Sequence, residues 1–196
     1  MDPLVKDAIA RWPDVPAVFG WLSLDARGRW RLHPLGQAAQ GGAGESITNP
    51  QILGFINRNY ERDNDGRWYF QNGPQRVFVR LDAAPYVLRL GDDGGSLVTH
   101  TDAPVDTITA WWLDDAGQLY AMAPQGPGIV LDRDLPALMD RLTTSDGVPL
   151  LDAVESLAGS HPLPVTLPGA YPAAPLRQVE RADVPLVLGF QANPTA

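Results

Sequence analysis

The stretch DNDGRWYFQNGPQRVFVRL, Asp63 to Leu81, leaves the chain little choice of local fold. Asp65-Gly66 and Asn72-Gly73 are dipeptides that accept positive φ in tight turns, and the runs beside them are rich in aromatic and β-branched residues. The segment predicts a small antiparallel meander. Its opening pattern, Asp-x-x-Gly-x-apolar, occurs at Asp63/Gly66/Trp68 and again at Asp25/Gly28/Trp30, Asp92/Gly95/Leu97 and Asp114/Gly117/Leu119. Unequal spacing excludes a solenoid or propeller. The pattern describes a fold that reuses one hairpin design, with a weak duplication whose first half runs to about Leu90.

Around the meander, Asp2-Pro3 is a cap followed by proline at the first helical position, and Leu4, Val5, Ala8, Ile9 and Trp12 recur at helical spacing. Val18 to Leu32 alternates around Asp25 to Gly28, as a hairpin does. Gly36 to Gly44 is too small in its side chains to pack and reads as an exposed loop. Asn49-Pro50 starts a second helix with Ile52, Phe55, Ile56 and Tyr60 near one face. Further strands are expected at Tyr86 to Leu90, Ser96 to Thr101, around Asp114 to Gly117 and at Gly128 to Leu131. Helices are expected at Asp134 to Leu142, with Asp134 as cap, and at Pro149 to Ala158. Pro162, Pro164, Pro168, Pro172 and Pro175 predict an irregular surface segment before a last strand at Val184 to Phe190.

At 196 residues the chain can bury a full core in one domain or two lobes, without help from metal or disulfide. The 19 Gly and 19 Pro favour a turn-dense fold. With no cysteine there is no disulfide framework, thiolate metal site or thiol nucleophile, which suits a reducing cytoplasm. A net charge of -8 argues against nucleic acid as a partner, although Arg58, Arg62, Arg67, Arg76, Arg80 and Arg89 concentrate the positive charge. The N-terminus has no secretory h-region and no apolar run approaches a membrane span, so a soluble intracellular protein is expected.

No complete catalytic or metal-binding constellation stands in the sequence. Glu61-x-Asp63-x-Asp65-Gly66 overlaps the start of a calcium loop, but Asn72 falls where the bidentate Glu belongs. His33, His100 and His161 lack the spacing of a zinc site or of a nucleophile, histidine and acid set. No cofactor is implied. The Arg-bearing strand Gln75 to Leu81 supplies the one candidate: alternation puts Val77, Val79 and Leu81 on one face and Arg76, Phe78 and Arg80 on the other. Arg58, Arg76 and Arg80, with Asn72 and Gln75 beside the turn, form a candidate anion-binding set, against pairing of the same arginines with nearby acids.

The run GRWYFQNGPQRVFVRLDAAPYVLRL, Gly66 to Leu90, with DARGRW and a helix before it, resembles an uncharacterised bacterial family, domain of unknown function twelve eighty-five. The resemblance spans about Asp25 to Asp106. It implies an α+β fold of repeated helix-and-strand motifs, no established catalytic residues, and a signalling or ligand-sensing role.

The expectation is thus an α+β protein of mainly antiparallel hairpins with short flanking helices. Its lobes are placed at 1–90 and 91–196, sharing a repeated motif, or merged in one compact domain. The leading functional expectation is a non-catalytic cytoplasmic binding or regulatory module for a small anionic ligand or a protein partner, with no nucleic acid and no membrane. One alternative is an enzyme on a small anionic substrate using His100, Asp102 and Arg80. Another is a homo-oligomer associating through exposed aromatics such as Trp111 and Trp112.

Overall fold

The computed structural model describes residues 1–92, 94–154 and 161–196. The chain forms two compact units, Met1–Pro85 with Gly189–Ala196, and Tyr86–Leu188. The 1–90 and 91–196 division of the sequence reading thus stands beside a structural one in which Tyr86 to Leu90 lies in the second unit and the last eight residues lie in the first. The fold is α+β.

In the first unit, α1 (Pro3–Arg11) is capped by the Asp2 carboxylate, which accepts from the Leu4 N–H. Strands β1 (Val18–Leu24) and β2 (Trp30–Leu32) form the expected hairpin, and β3 (Glu45–Ser46) extends it. Helix α2 (Pro50–Arg58) begins where Asn49 accepts from the Gln51 and Ile52 N–H groups. Strands β4 (Tyr60–Arg62), β5 (Trp68–Asn72) and β6 (Gln75–Leu81) are the meander. The sheet order is β3-β2-β1-β6-β5-β4, with β1 parallel to β6.

The second unit repeats that order. Strands β7 (Tyr86–Leu90), β8 (Leu97–Thr99), β9 (Pro104–Val105), β10 (Ala110–Asp114), β11 (Leu119–Ala123) and β12 (Gly126–Val130) pair as β9-β8-β7-β12-β11-β10, with β7 parallel to β12. The four Asp-x-x-Gly runs fall in matching hairpins, those of Asp25 and Asp92 in the first hairpin of each sheet and those of Asp63 and Asp114 between the fourth strand and the fifth. At Asp25, Asp63 and Asp114 the Asp and Gly make the turn, whereas beside Asp92 the equivalent bonds are made by Gly91 and Gly94. Carrying the register across aligns Leu22 with Leu88, Leu32 with Thr99, Val77 with Gly128, Phe70 with Ala121 and His33 with His100. The turn motif is therefore the sequence trace of a duplicated six-strand topology.

The copies differ in how they cover their apolar face. The first places α2 between its third and fourth strands; the second joins β9 to β10 by four residues, 106–109, with Ile108 buried. Instead, β13 (Thr143–Thr144), β14 (Leu163–Leu167) and β15 (Tyr171–Val179) lengthen the second sheet beyond β10. The Tyr171 hydroxyl accepts from the Leu97 N–H (2.8 Å) and donates to the Val105 carbonyl (2.7 Å). Since β15 and the β8-β9 end lie on opposite sides of the strand order, those bonds require the sheet to roll up. Its interior is filled by Leu88, Trp111, Leu119, Val165, Leu167 and Leu176, all inaccessible to solvent.

Several expectations are corrected. The proline-rich segment is not irregular: Pro164 and Pro175 face each other across β14 and β15, and β15 meets β10 only from Leu176 onward, so the missing N–H groups of Pro172 and Pro175 fall outside that ladder. Val184 to Phe190 is not a strand; α5 (Val184–Leu188) follows a 3-10 turn, with Val184 and Leu188 buried at helical spacing. Between these parts, α3 (Leu135–Met139) is shorter than expected, and Asp134 stands at its N-cap as expected but makes no side-chain cap bond, because its carboxylate accepts from the Leu90 N–H and the Arg133 Nε. Helix α4 (Leu150–Ala153) lies within the expected 149–158 helix, of which residues 155–158 lie outside the described ones. Trp111 and Trp112 are both buried, since β10 runs between β11 and β15 in the rolled sheet, so neither offers a self-association surface. No helix among the described residues is long and apolar enough to cross a membrane.

Candidate functional site

The first sheet divides the five candidate residues between its faces. Asn72 and Gln75 are partners across the β5-β6 turn and share the face of Val77 and Phe70. Arg76, Phe78 and Arg80 alternate to the opposite face, as the strand period dictates. There Phe78 stacks on Phe19 at 4.6 Å, and the Arg76 guanidinium lies 4.7 Å from the centre of the Tyr69 ring. Arg58 is the last residue of α2 and is exposed. Only Asn72 and Gln75 are brought together.

Arg80 is consumed by the fold. It is buried, pairs with Asp82 at 2.7 Å, and donates from Nη1 to the carbonyls of Ala38 (2.6 Å) and Gly42 (3.1 Å). Its Nη2 reaches Ser23 Oγ at 3.4 Å, and the same Oγ is 2.9 Å from His33 Nε2. This network pins the Gly36 to Gly44 loop, which is exposed from Ala39 to Gly44 as expected but carries a 3-10 turn, Ala38–Gln40, with Ala38 fully buried. Burial, and next the Arg80 charge, lower the His33 pKa from its ordinary value. A serine beside a histidine here is a buried strut, since neither side chain reaches solvent.

On the other face, between the sheet and α2, lies a cavity of about 550 Å³. Toward Trp30 and Trp68 that face is closed: both are buried, Trp30 Nε1 donates to Asn57 Oδ1 on α2 at 2.8 Å, and the Tyr60 ring stands edge-on to Trp30. Toward the β5-β6 turn it opens, lined chiefly by Trp21, Leu22, Ile52, Phe70 and Val77. Its polar side chains are the two carboxamides of Asn72 and Gln75, and no charged side chain among the described residues lines it.

A break in strand alternation helps to build the cavity. The β1-β6 register shifts between Val18 and Leu22, and within that interval Gly20 has φ +81. The shift lets adjacent Trp21 and Leu22 both line the cavity, the re-aiming that a bulge achieves. A Cβ on Gly20 would stand 2.2 Å from the Gly36 carbonyl oxygen, so this position requires glycine. The cavity was missed in the sequence because Trp21, Leu22, Ile52 and Ile56 read as ordinary core. The available signal was the exposure implied by consecutive apolar residues, Val18-Phe19 and Trp21-Leu22, flanking a glycine in a strand.

The residues of the enzymatic alternative are each engaged within their own unit. In the second unit His100 accepts from the Val87 N–H through Nδ1 at 3.3 Å and packs on Tyr86, and burial pushes its pKa down to about 3. Asp102 pairs with Arg89 at 2.6 Å. Asp63, from the calcium-like run, accepts from the Asp65 and Arg67 N–H groups and pairs with Arg67 Nε at 2.8 Å, so its carboxylate organises the turn. No group of three His, Cys, Asp or Glu among the described residues could hold a metal.

A family model, DUF2944, carrying the description "Protein of unknown function (DUF2946)", matches residues 1–195. No curated protein matches the chain. The fold is similar to the crystal structure of a DUF1285 family protein from Silicibacter pomeroyi DSS-3, with 16% identity, a TM-score of 0.50, and coverage of 89% of this chain and 96% of that one. A DUF1285 family protein from Shewanella baltica OS155 matches at 14% identity and a TM-score of 0.41, covering 58% of this chain and 86% of that one. The first likeness is one of fold, in the family that Gly66 to Leu90 resemble.

Proposed function

The chain belongs to the DUF2944 family, whose members are described only as proteins of unknown function, and from that premise we propose that it is a non-catalytic binding module whose first unit takes a small, largely apolar ligand. The carrying observation is the contrast between two copies of one topology. At the matching place the second copy is packed, Gly128 lying against the Leu88 side chain with Leu88 and Ala121 fully buried, whereas the first keeps an open cavity there; the second unit's own cavity lies elsewhere, between Leu113 and helices α3 and α4. Its volume and its apolar lining with two convergent polar groups are those of a small-molecule site. The proposed setting is the bacterial cytoplasm, an expectation resting on a sequence without cysteine.

The neutral fluorophore N-phenyl-1-naphthylamine tests this reading. It is expected to bind the native protein with enhanced emission, and Val77→Trp, which fills the cavity, is expected to abolish binding while the unfolding midpoint is retained. Absence of binding to the native protein, or binding undiminished in Val77→Trp, would reject the site. A second reading, contact with an anionic ligand or acidic partner, is favoured by Arg76, whose exposed guanidinium makes no ion pair among the described residues. Binding of an anionic probe that survives Val77→Trp but is lost in Arg76→Ala would support it.

A further inference from the structure

We infer that the ligand of the first unit's cavity carries a neutral head group that both donates and accepts hydrogen bonds, an amide, lactam or hydroxyl, on an apolar body. The inference rests on the binding reading above and adds the class of ligand. Asn72 and Gln75 face one another as register partners at the end of the β5-β6 hairpin, and theirs are the polar side chains of the lining. Gln75 Nε2 donates one of its two N–H groups to the Pro16 carbonyl at 3.1 Å, which leaves the other N–H as a donor and Oε1 as an acceptor. The Asn72 carboxamide forms no side-chain hydrogen bond within the described residues, so it offers N–H donors and a carbonyl acceptor together.

A head group matching that inventory must supply at least one donor, to Gln75 Oε1 or Asn72 Oδ1, and one acceptor, for the Asn72 N–H. An amide or a hydroxyl does both. A carboxylate has acceptors alone, would leave the Gln75 and Asn72 carboxamide oxygens without a donor, and would find no cation in the lining. Arg80 and Arg76 cannot supply one: both project from the opposite face, the first engaged with Asp82, Ala38 and Gly42, the second over Tyr69. An ammonium would bring three donors and a charge into a cleft with no carboxylate on its walls.

Calorimetric titration of the full chain with decanamide, 1-decanol, decanoate and decylammonium at neutral pH isolates the head group at constant apolar body. Decanamide and 1-decanol are expected to bind at least about tenfold more tightly than either ion, the ratio given by one unsatisfied or uncompensated polar group. In Asn72→Leu combined with Gln75→Leu, the preference of amide over acid is expected to collapse while the apolar body still binds. Decanoate or decylammonium binding as well as decanamide would overturn the inference and leave the binding module standing, as would an amide preference that persists in the double variant. Failure of all four ligands, together with the neutral fluorophore, would remove the binding module itself.

Discussion

The two matched histidines follow β2 and β8 in their respective sheets, and each is held neutral. His33 is buried beside Ser23 and Arg80, and His100 receives the Val87 N–H on Nδ1. Both have pKa values below the ordinary 6.5, chiefly through burial, and that of His100 falls to about 3. A histidine depressed in the folded state binds its proton more readily when unfolded. The stability it contributes is therefore complete above about pH 6.5 and is lost as the pH falls toward the folded value. Asp25, Asp63 and Asp134 are also lowered, but from 3.8, so their losses begin only below about pH 5. Between about pH 6 and pH 5 the falling stability accordingly belongs to histidine, at about 1.4 kcal/mol per pH unit for each proton taken up on unfolding. Urea unfolding at a series of pH values is expected to show that slope, and His100→Asn, which keeps an acceptor for Val87, is expected to reduce it by one proton. A profile flat over that window, or unchanged in the variant, would contradict the assignment.

Among the elements, the meander, the first hairpin and the caps of α1 and α2 were legible because each is fixed by residues adjacent in sequence: Asp2-Pro3, Asn49-Pro50 and the Asp-x-x-Gly turns. The elements that escaped depend on partners far along the chain. Strand β15 tolerates its prolines because of where β10 joins it, and the Asp134 carboxylate accepts from the β7 N–H of Leu90 at 2.9 Å rather than from the first turn of its own helix. The candidate site was legible only in part, for the same reason: strand alternation separates Arg76 and Arg80 correctly from Val77, but not what covers each face. Cover decides the difference between matched strands β6 and β12. A Cβ on Gly128 would stand 2.7 to 2.9 Å from three atoms of Leu88, which is fully buried and has no room to withdraw. Gly128→Ala should therefore destabilise the second unit by about 1–3 kcal/mol, the cost of overpacking a filled core. The matched position in the first unit, Val77, already bears a branched side chain at the cavity wall. Chemical denaturation of Gly128→Ala measures the difference; stability equal to the parent chain would mean that the second unit holds slack like the first.

For the whole molecule, four repeats of one pattern announced a duplication, while the rank of each repeat within its sheet became visible only with the pairings. The sequence placed the division at Leu90, close to Pro85, but had no means of assigning the last residues to the first unit, because that assignment rests on contacts spanning more than a hundred positions. The Gln191 N–H donates to the Gly66 carbonyl, the Leu81 N–H donates to the Ala192 carbonyl at 2.7 Å, and Phe190 is buried. Gly66 fits there because it bears no Cβ, which would come within 2.8 Å of the Gly189 carbonyl oxygen. The first unit is therefore closed by a segment that the chain reaches only after tracing the second, and its stability depends on that return. A chain ending at Leu188 loses the burial of Phe190, for which about 3 kcal/mol is the usual lower cost of an aromatic truncation, together with both backbone bonds. Hydrogen exchange reads the two units apart: amides of β5 and β6 are expected to lose protection in the shortened chain, while those of β10 and β11 keep it. Equal loss in both sheets would show that the tail acts on the molecule as one cooperative body, and undiminished protection of β6 would show that the first unit is complete without it.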